Sequence, residues 1–458
     1  MKTPKDMEER KGGQPAGNED DFQLQLEMLR RPLPPREVDR PCAVGDGIEV
    51  LSEERWRSFE QDWLSEVPER NDVALFVPAS GAATRMFQDF IPPLSPETEA
   101  RLDQEWRRFP FADGGSWQSE WRALWEAGGW ATLPKGMVPF FRENHGKRWD
   151  AMDAHHAEWR FAVEASHPGK LIFTVPIDFQ EELKIRWQRR DPEVQIQVQH
   201  PQTDTYAWDL TADDWLRDAH AEPVRRPGGH GALLRNLDGL EARWVFIRNI
   251  DNVLPQWHPR WAERIALRSA LGGILKRWVE ERDALWWEWS AGTPGSAARI
   301  REWLGGVSSG LSLDPTEEEL RNALWRPMRV AAVVPHSGQP GGGPYWVRDG
   351  SGQLRPGIVE SAELPPQWKD AGTHFNPVEM ACYLSSPAGS RLSLQAYADA
   401  SAYFTAEKQM GGRPIRILER PGLWNGGMAG WLTRFVEVPA WSFSPVKSAW
   451  DLLNFSSI

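Results

Sequence analysis

VALFVPASGAATRMF, residues 73–87, is the clearest structural signal in the chain. Its first five residues form an uninterrupted apolar run, which is typical of a strand buried on both faces. The small residues that follow predict a turn into a helix, where backbone N–H groups and the helix dipole can bind a phosphate. Arg85 would then hold the phosphate oxygens. A tight strand-to-helix turn without a ligand explains the same residues.

Further apolar runs predict more strands of the same kind. They lie at 171–175, 194–198, 244–247, 328–334 and 434–438, and helical patterns at 22–31, 53–64 and 261–289 are placed among them. Alternating strands and helices predict an α/β fold, a mixed sheet flanked by helices. We expect a disordered tail over residues 1–22, one α/β domain over 23–458, and a helical insertion over 256–326, where no strand pattern occurs.

The bulk composition excludes several functions. The 458 residues carry a net charge of −12, which argues against general attraction to nucleic acid or to an anionic membrane. Only two cysteines occur, so a disulfide framework is not expected. Because neither a signal peptide nor a long apolar segment is visible, we expect a cytoplasmic protein. An anionic substrate must therefore be bound by local cations.

Two loops contain candidate ligand-binding residues. LPKGMVP, residues 133–139, places Lys135 between two prolines. Lysine is a compact point charge for phosphate, although a surface turn with a solvated lysine is the alternative. RPGGHG, residues 226–231, places a histidine among glycines. Turn chemistry alone does not require that histidine, so we interpret this loop as a ligand contact.

A carboxylate follows the predicted strand at 244–247. In WVFIRNIDN, residues 244–252, Asp251 lies between two asparagines. The carboxyl ends of sheet strands are where α/β proteins bind ligands, and Mg²⁺ prefers one or two carboxylates together with phosphates. An Asx turn that caps the strand explains the residues equally well. Weaker candidates are QPGGGP at 339–344 with IVE at 358–360, THFNP at 373–377, and SPVK at 444–447.

Taken in order, these segments resemble the UDP-sugar pyrophosphorylases, nucleotidyltransferases with a GT-A-like, Rossmann-related sheet. The glycine-rich loop, Pro-Lys motif, His-Gly loop and Asp-bearing strand end of that family are similar to residues 78–86, 134–135, 227–231 and 249–252. Its uracil-side glutamine, its lysine before a Leu-Glu strand, and its Pro-Val-Lys motif are similar to Gln199, Lys408 with 418–419, and 445–453. The whole chain resembles still more closely a bacterial family catalogued as a domain of unknown function, which shares THFNP and PGLWNG (421–426).

The resemblance implies a reaction of a nucleoside triphosphate, expected to be UTP, with a sugar 1-phosphate, forming a nucleotide sugar and pyrophosphate. Asp251 would bind Mg²⁺, and Glu360 and Asn376 would bind the sugar. The implied nucleotide-binding residues are Ser80, Gly81, Ala82, Ala83, Thr84, Gln199, Gly229 and Gly231. The implied catalytic residues are Arg85, Lys135, His230, Lys408 and Lys447.

This sequence departs from the pyrophosphorylase pattern in the first loop. Ser80 and Ala83 stand where that family has glycines. Two other functions therefore stay open: a GT-A-like glycosyltransferase, and a nucleotide-sugar-binding protein without turnover. Release of pyrophosphate distinguishes the nucleotidyltransferase from both.

Overall fold

The structure is a computed structural model of the chain. It describes residues 18–30, 35–66, 68–164, 169–199, 203–226, 228–307, 315–336, 338, 341–350, 352–399, 401–410 and 412–455. Most of the predicted tail lies outside these residues. Its last part does not, because the first helix begins at Asn18 and residues 18–22 are helical.

Twenty strands and ten α-helices are found in the described residues. The strands are β1 (Val38–Pro41), β2 (Ala43–Val44), β3 (Gly47–Val50), β4 (Val73–Pro78), β5 (Pro139–Arg142), β6 (Arg148–Asp150), β7 (Lys170–Val175), β8 (Val194–Val198), β9 (Thr205–Asp209), β10 (Asp214–Trp215), β11 (Arg225–Arg226), β12 (Trp244–Arg248), β13 (Met328–Pro335), β14 (Gly343–Arg348), β15 (Leu354–Val359), β16 (His374–Phe375), β17 (Glu379–Tyr383), β18 (Phe404–Met410), β19 (Arg413–Glu419) and β20 (Leu432–Glu437). The helices are α1 (Asn18–Arg30), α2 (Glu53–Ser65), α3 (Pro96–Glu105), α4 (Trp117–Arg122), α5 (Ala151–Glu164), α6 (Gln180–Arg190), α7 (Leu234–Asp238), α8 (Trp261–Ser290), α9 (Ser296–Leu304) and α10 (Glu317–Leu324).

A ten-stranded mixed sheet forms the centre of the fold. Its order is β2-β3-β20-β13-β17-β12-β4-β7-β8, with β16 paired to β13. All six strands expected from apolar runs belong to this sheet. Strand β17 is antiparallel to both of its neighbours, β12 and β13, whereas β12, β4, β7 and β8 are mutually parallel. The predicted α/β architecture, a mixed sheet flanked by helices, is confirmed.

The parallel arrangement places the candidate motifs at the carboxyl ends of neighbouring strands. Strands β4 and β12 pair in parallel, with Trp244 opposite Val73 and Ile247 opposite Phe76. Their carboxyl ends therefore point to the same side, and the residues that follow, 79–87 and 249–252, lie next to each other. The carboxyl ends of the strands are where α/β proteins bind ligands.

Helices α8, α9 and α10 lie within residues 256–326, and α8 packs directly on the sheet. Helix α8 contacts β13, β17 and α2, and Leu271, Ile274 and Trp278 on it join the largest hydrophobic core. The approach of α2 requires a glycine, since a Cβ on Gly273 would lie 1.8 Å from the carbonyl oxygen of Phe59. Residues 256–307 and 315–326, as described, contain no strand. The segment therefore covers one face of the sheet.

Smaller sheets surround the central one. Strands β1, β14 and β15 form a three-stranded sheet, β5 and β6 a hairpin, and β9, β10, β11, β18 and β19 a five-stranded sheet. Helix α1 packs on the last of these, where Leu29 contacts a cluster with Trp208, Trp215 and Leu418. Among the helices of the described residues, none is long and apolar enough to cross a membrane.

Candidate active site

The loop after β4 is held open by the Lys135 segment. The N–H of Ala83 donates to the carbonyl of Leu133, and the N–H of Lys135 donates to the carbonyl of Gly81, both at 2.9 Å. Thr84 Oγ1 also donates to the carbonyl of Ala131 at 3.1 Å. No atom lies within 4 Å of the place where a Cβ of Gly81 would be. The backbone of the loop is thus held by hydrogen bonds, and the space beside Gly81 is open among the described residues.

The helix expected after this loop does not form. The residues there are two short 3₁₀ turns, Ala83–Arg85 and Gln88–Phe90, and the next α-helix begins only at Pro96. Pro92 and Pro93 follow closely, and proline cannot donate within a helix. The helix dipole expected to assist phosphate binding is therefore missing. Arg85 is exposed beside the loop.

Asp251 lies between two lysines. Lys135 Nζ is 2.7 Å and Lys447 Nζ is 3.0 Å from the same oxygen, Asp251 Oδ2. The side chains of Asp251 and Lys135 are only 7% and 14% exposed, whereas that of Lys447 is 52% exposed. Asp251 Oδ1 is buried without a hydrogen-bond partner in the part of the chain that is described. These three residues, with a net charge of +1, are brought together as one group.

Burial and charge act against each other in this group. Burial alone would raise the pKa of Asp251, but Lys135 and Lys447 outweigh it and hold that pKa below its usual range. Burial lowers the pKa of Lys135, and Asp251 only partly opposes this effect. Asp251 is therefore ionised at neutral pH, and Lys135 depends on it as a counter-ion.

Backbone contacts fix the positions of these three residues. The N–H of Val446 donates to the carbonyl of Asp251 at 2.9 Å, and the N–H of Ser444 donates to Asn252 Oδ1 at 3.1 Å. The N–H of Ala449 reaches the carbonyl of Met86 at 2.7 Å. The C-terminal segment thus joins the end of β12 to the loop after β4. The Asx-turn interpretation of Asp251 does not account for its two lysine contacts.

A buried ionic cluster that the sequence did not reveal supports the end of β12. Arg248 and Arg268 both contact Glu158, and Arg248 also contacts Glu379 at 2.7 Å. Arg248 and Arg264 donate to the carbonyl of Asn252, next to Asp251. The only local signal was a pair of arginines four residues apart on an apolar stretch of helix.

Gln199 lies beside the loop after β4. Ser80 Oγ donates to Gln199 Oε1 at 3.0 Å, and Gln199 Nε2 is buried without a partner among the residues described. The Ser80 hydroxyl thus orients the glutamine and leaves its amide donors available. Residues 200–202, which follow Gln199 in the chain, lie outside the described residues.

The His230 loop packs on the segment that follows β19. Its imidazole stacks on Trp424 with ring centroids 4.1 Å apart, and the N–H of Leu423 donates to His230 Nδ1 at 3.0 Å. Gly231 permits this packing, because a Cβ there would lie 2.2 Å from the carbonyl oxygen of Pro421. Burial lowers the pKa of His230 to about 4. The imidazole is therefore neutral at pH 7 and cannot act as a cation. Pro227 lies outside the described residues.

The two expected sugar-binding residues lie on either side of Gly342. Asn376 N–H donates to the carbonyl of Gly342 at 2.9 Å, and Glu360 Oε1 would be 3.1 Å from a Cβ on that glycine. Asn376 is 3% exposed, and its Nδ2 has no partner in the described part of the chain. Glu360 accepts from Asn425 Nδ2 at 3.1 Å, and Asn425 was not among the expected site residues.

The pair Glu360 and Asn376 is linked to the group of Asp251, Lys135 and Lys447. Burial raises the pKa of Glu360, and the charge of Lys447 is close enough to oppose that rise. The N–H of Asn249, just before Asp251, donates to the carbonyl of Val378, whose own N–H donates to Asn376 Oδ1 at 3.1 Å. The expected phosphate-binding and sugar-binding residues thus border one region.

Lys408 is the catalytic candidate whose place is least defined. It lies on β18, opposite Ile415 of β19 in the five-stranded sheet. Its side chain lies outside the described residues. Its role remains a prediction.

A metal would have to rely on Asp251. No group of three or more His, Cys, Asp or Glu that could hold an ion occurs in the residues described. A single carboxylate whose second oxygen is unpartnered still fits Mg²⁺, because this ion takes its remaining ligands from phosphates and water.

The fold defines a class of protein, the α/β proteins with a mixed sheet flanked by helices. A crystal structure of uridine diphosphate N-acetylglucosamine pyrophosphorylase from Trypanosoma brucei, in complex with an inhibitor, matches 95% of this chain and 74% of that chain, with a TM-score of 0.52 and 13% identity. At that identity the likeness is one of fold. The chain belongs to the family described as a domain of unknown function (DUF4301), whose sequence profile matches residues 9–108 and 125–456. No curated protein matches the chain.

Proposed function

We propose that the protein is a sugar-1-phosphate nucleotidyltransferase, forming a nucleotide sugar and pyrophosphate from a nucleoside triphosphate, expected to be UTP. The observation that carries this proposal is the group of Asp251, Lys135 and Lys447 beside the open loop after β4. Its two lysines supply cations in a chain of net charge −12, and nucleotidyl transfer depends mainly on positioning and charge neutralisation. The pyrophosphorylase-like fold agrees with this chemistry.

The nucleotide would lie between the loop after β4 and Gln199. Backbone groups from Ser80 to Thr84 would face the phosphates, and Arg85 and Lys135 would pair with them. Gln199 Nε2, buried and unpartnered among the described residues, would donate to a carbonyl of the base. Gly229 and Gly231 let the His230 loop pack closely enough to complete the site.

Asp251 would hold the Mg²⁺ through its unpartnered Oδ1. When bound, Mg²⁺ neutralises phosphate charge. Lys135 and Lys447 repel a bare cation from Asp251, so we expect the ion to bind only together with a triphosphate. Mg²⁺ alone should leave the melting temperature unchanged, and Mg²⁺ with the nucleotide should raise it.

In the reaction, a phosphate oxygen of the sugar 1-phosphate attacks the α-phosphorus of the triphosphate. The bond from the α-phosphorus to the oxygen that bridges to the β-phosphate breaks, and pyrophosphate leaves. Lys447 and Lys408 would neutralise the charge that develops. His230, neutral and bonded at Nδ1 to a backbone N–H, carries its proton on Nε2 and would donate it in a hydrogen bond to the sugar phosphate. Glu360 and Asn376 would bind sugar hydroxyls.

Pyrophosphate release tests this proposal. The protein is incubated with Mg²⁺, each nucleoside triphosphate and a panel of sugar 1-phosphates. We expect release that requires both substrates and falls about 10²–10³-fold in Lys135→Met. Lys276→Met is the matched control, because Lys276 is also 14% exposed and ion-paired, to Glu66 at 2.8 Å, but lies on α8 beside the end of α2.

Two results would contradict the proposal. One is release that is equally affected by Lys135→Met and Lys276→Met. The other is no release from any pair of substrates. In the second case, transfer or hydrolysis of a supplied nucleotide sugar would indicate the glycosyltransferase, and thermal stabilisation without turnover would indicate the binding protein.

A further inference from the structure

A cavity of about 460 Å³ lies at the end of the central sheet's strands that is opposite to Asp251. Arg326, on its wall, lies two residues before the first residue of β13, Met328. Strand β13 runs parallel to β12, because both are antiparallel to β17 between them. The amino end of β13 and the carboxyl end of β12 therefore lie at opposite ends of the parallel strands. The Arg326 side of the cavity thus lies away from Asp251.

The wall of this cavity is positively charged. Four arginines and two aspartates line it, and Arg348 pairs with Asp39 at 3.0 Å, which leaves an excess of one positive charge in an acidic protein. Arg36 pairs with Asp399 at 2.6 Å, and Arg355 pairs with Asp349 at 2.8 Å. Both aspartates are thus already engaged with other arginines.

Arg326 is the buried cation without an ion-pair partner in this set. It is 8% exposed. Its Nε donates to the carbonyl of Asn322, but its Nη1 is buried with no partner among the described residues. Burial, reinforced by the charge of Arg355, lowers the pKa of Arg326 to about 9, so the guanidinium is still charged at pH 7. A buried charge without a partner is costly, and a ligand anion would remove that cost.

Part of the remaining wall is apolar. Val347 and Ile358 from the β14–β15 hairpin, together with Tyr397, form this part of the wall. Cavities of a few hundred cubic ångströms with a few placed polar groups are typical of small-molecule sites. A bare inorganic ion would leave the apolar wall without contacts.

We propose that this cavity binds a small organic anion, whose phosphate or carboxylate pairs with Arg326 and Arg355 and whose apolar body contacts Val347, Ile358 and Tyr397. Planar, doubly hydrogen-bonded recognition of such anions is what arginine provides. Asn425 also lines the cavity and donates to Glu360. A bound anion would therefore contact a residue that holds a candidate sugar-binding side chain.

Calorimetric titration of the whole chain tests the proposal, with phenyl phosphate, benzoate and inorganic phosphate as probes. We expect an aromatic anion to bind more tightly than inorganic phosphate, and phenyl phosphate and benzoate to show which anionic group is preferred. Affinity should fall at least about tenfold in Arg326→Gln, since charged hydrogen bonds contribute more than about 1.4 kcal/mol. Arg122→Gln, at an exposed arginine of α4, should have no effect.

A second variant keeps the test valid if Arg326→Gln does not fold. Ala396 is an exposed residue on the cavity wall, and Ala396→Trp would fill the cavity without altering its charge. It should weaken binding, whereas Lys135→Met in the candidate active site should not. The proposal is overturned if the aromatic anions do not bind at millimolar concentrations, or if Lys135→Met abolishes binding that Arg326→Gln and Ala396→Trp leave unchanged. Turnover is not needed for either result, so failure here is distinct from failure of the proposed activity.

Discussion

Lys135 and Lys447 contact the same oxygen of Asp251, but they should contribute very differently to stability. Lys135→Met removes a lysine that is 14% exposed, whereas Lys447→Met removes one that is 52% exposed. Both keep an unbranched side chain of similar length. We expect both variants to lose nucleotidyl transfer to a similar extent, and only Lys135→Met to lower the melting temperature measurably.

The magnitude follows from distance and burial. At 2.7 Å, and with an effective dielectric constant of about 20, the attraction between Lys135 and Asp251 is roughly 6 kcal/mol. Desolvation offsets part of it, and loss of one partner of a buried pair costs about 3–5 kcal/mol. Because Asp251 keeps Lys447, we expect about 3 kcal/mol for Lys135→Met. An exposed pair contributes at most about 1 kcal/mol, which sets the limit for Lys447→Met.

Thermal unfolding measures this difference. A chain of 458 residues that unfolds as one unit has an unfolding entropy of about 1 kcal/mol/K, so Lys135→Met should melt about 3 °C lower and Lys447→Met within about 1 °C of the wild type. Lys276→Met, whose partner Glu66 is 82% exposed, should also stay within about 1 °C. Equal melting temperatures for Lys135→Met and Lys276→Met would refute the claim that the buried ion pair of Lys135 and Asp251 stabilises the fold. An unequal loss of transfer in Lys135→Met and Lys447→Met would refute their shared role.

Three further predictions rest on single residues. The folded-state pKa of Asp251 lies below its unfolded value, so ionised Asp251 stabilises the fold fully above about pH 4 and progressively less as the pH falls further. The difference in melting temperature between the wild type and Asp251→Asn should therefore shrink below about pH 4 and stay constant above it. Glu158→Gln removes the carboxylate shared by Arg248 and Arg268, and a loss of about 3–5 kcal/mol should appear as a fall of about 3–5 °C in melting temperature; no change would show that the cluster is not stabilising. Gly231→Ala should cost about 1–3 kcal/mol by overpacking, while Gly81→Ala, with no atom within 4 Å of the new Cβ, should leave the melting temperature unchanged and weaken nucleotide binding in a titration.

Much of the central sheet was predictable because its strands are buried on both faces. Val73–Pro78, Lys170–Val175 and Met328–Pro335 consist mainly of apolar residues, and such runs are easily recognised. Strand β17, Glu379–Tyr383, was missed although it lies in the middle of the sheet. It contains Met, Ala and Cys instead of β-branched residues, so its local pattern is weak.

The candidate site was predictable as a set of residues and not as an arrangement. The order of the motifs indicated Lys135, Asp251 and Lys447, but contacts between residues 116 and 196 positions apart have no local signature. The neutral state of His230 follows from burial beneath Trp424, which the glycines around it do not indicate. The cavity at Arg326 likewise depends on long-range packing of the β14–β15 hairpin against the segment at 396–399.

The most direct test of the proposed activity is to identify the product by ³¹P nuclear magnetic resonance. The protein is incubated with Mg²⁺, a nucleoside triphosphate and the sugar 1-phosphate that gives the strongest pyrophosphate release, in parallel with Asp251→Asn. We predict that the sugar 1-phosphate signal is replaced by the two coupled phosphorus signals of a nucleotide sugar, with one pyrophosphate formed per molecule and no product in Asp251→Asn. Pyrophosphate accompanied by free nucleoside monophosphate, with the sugar 1-phosphate unconsumed, would contradict nucleotidyl transfer to a sugar phosphate.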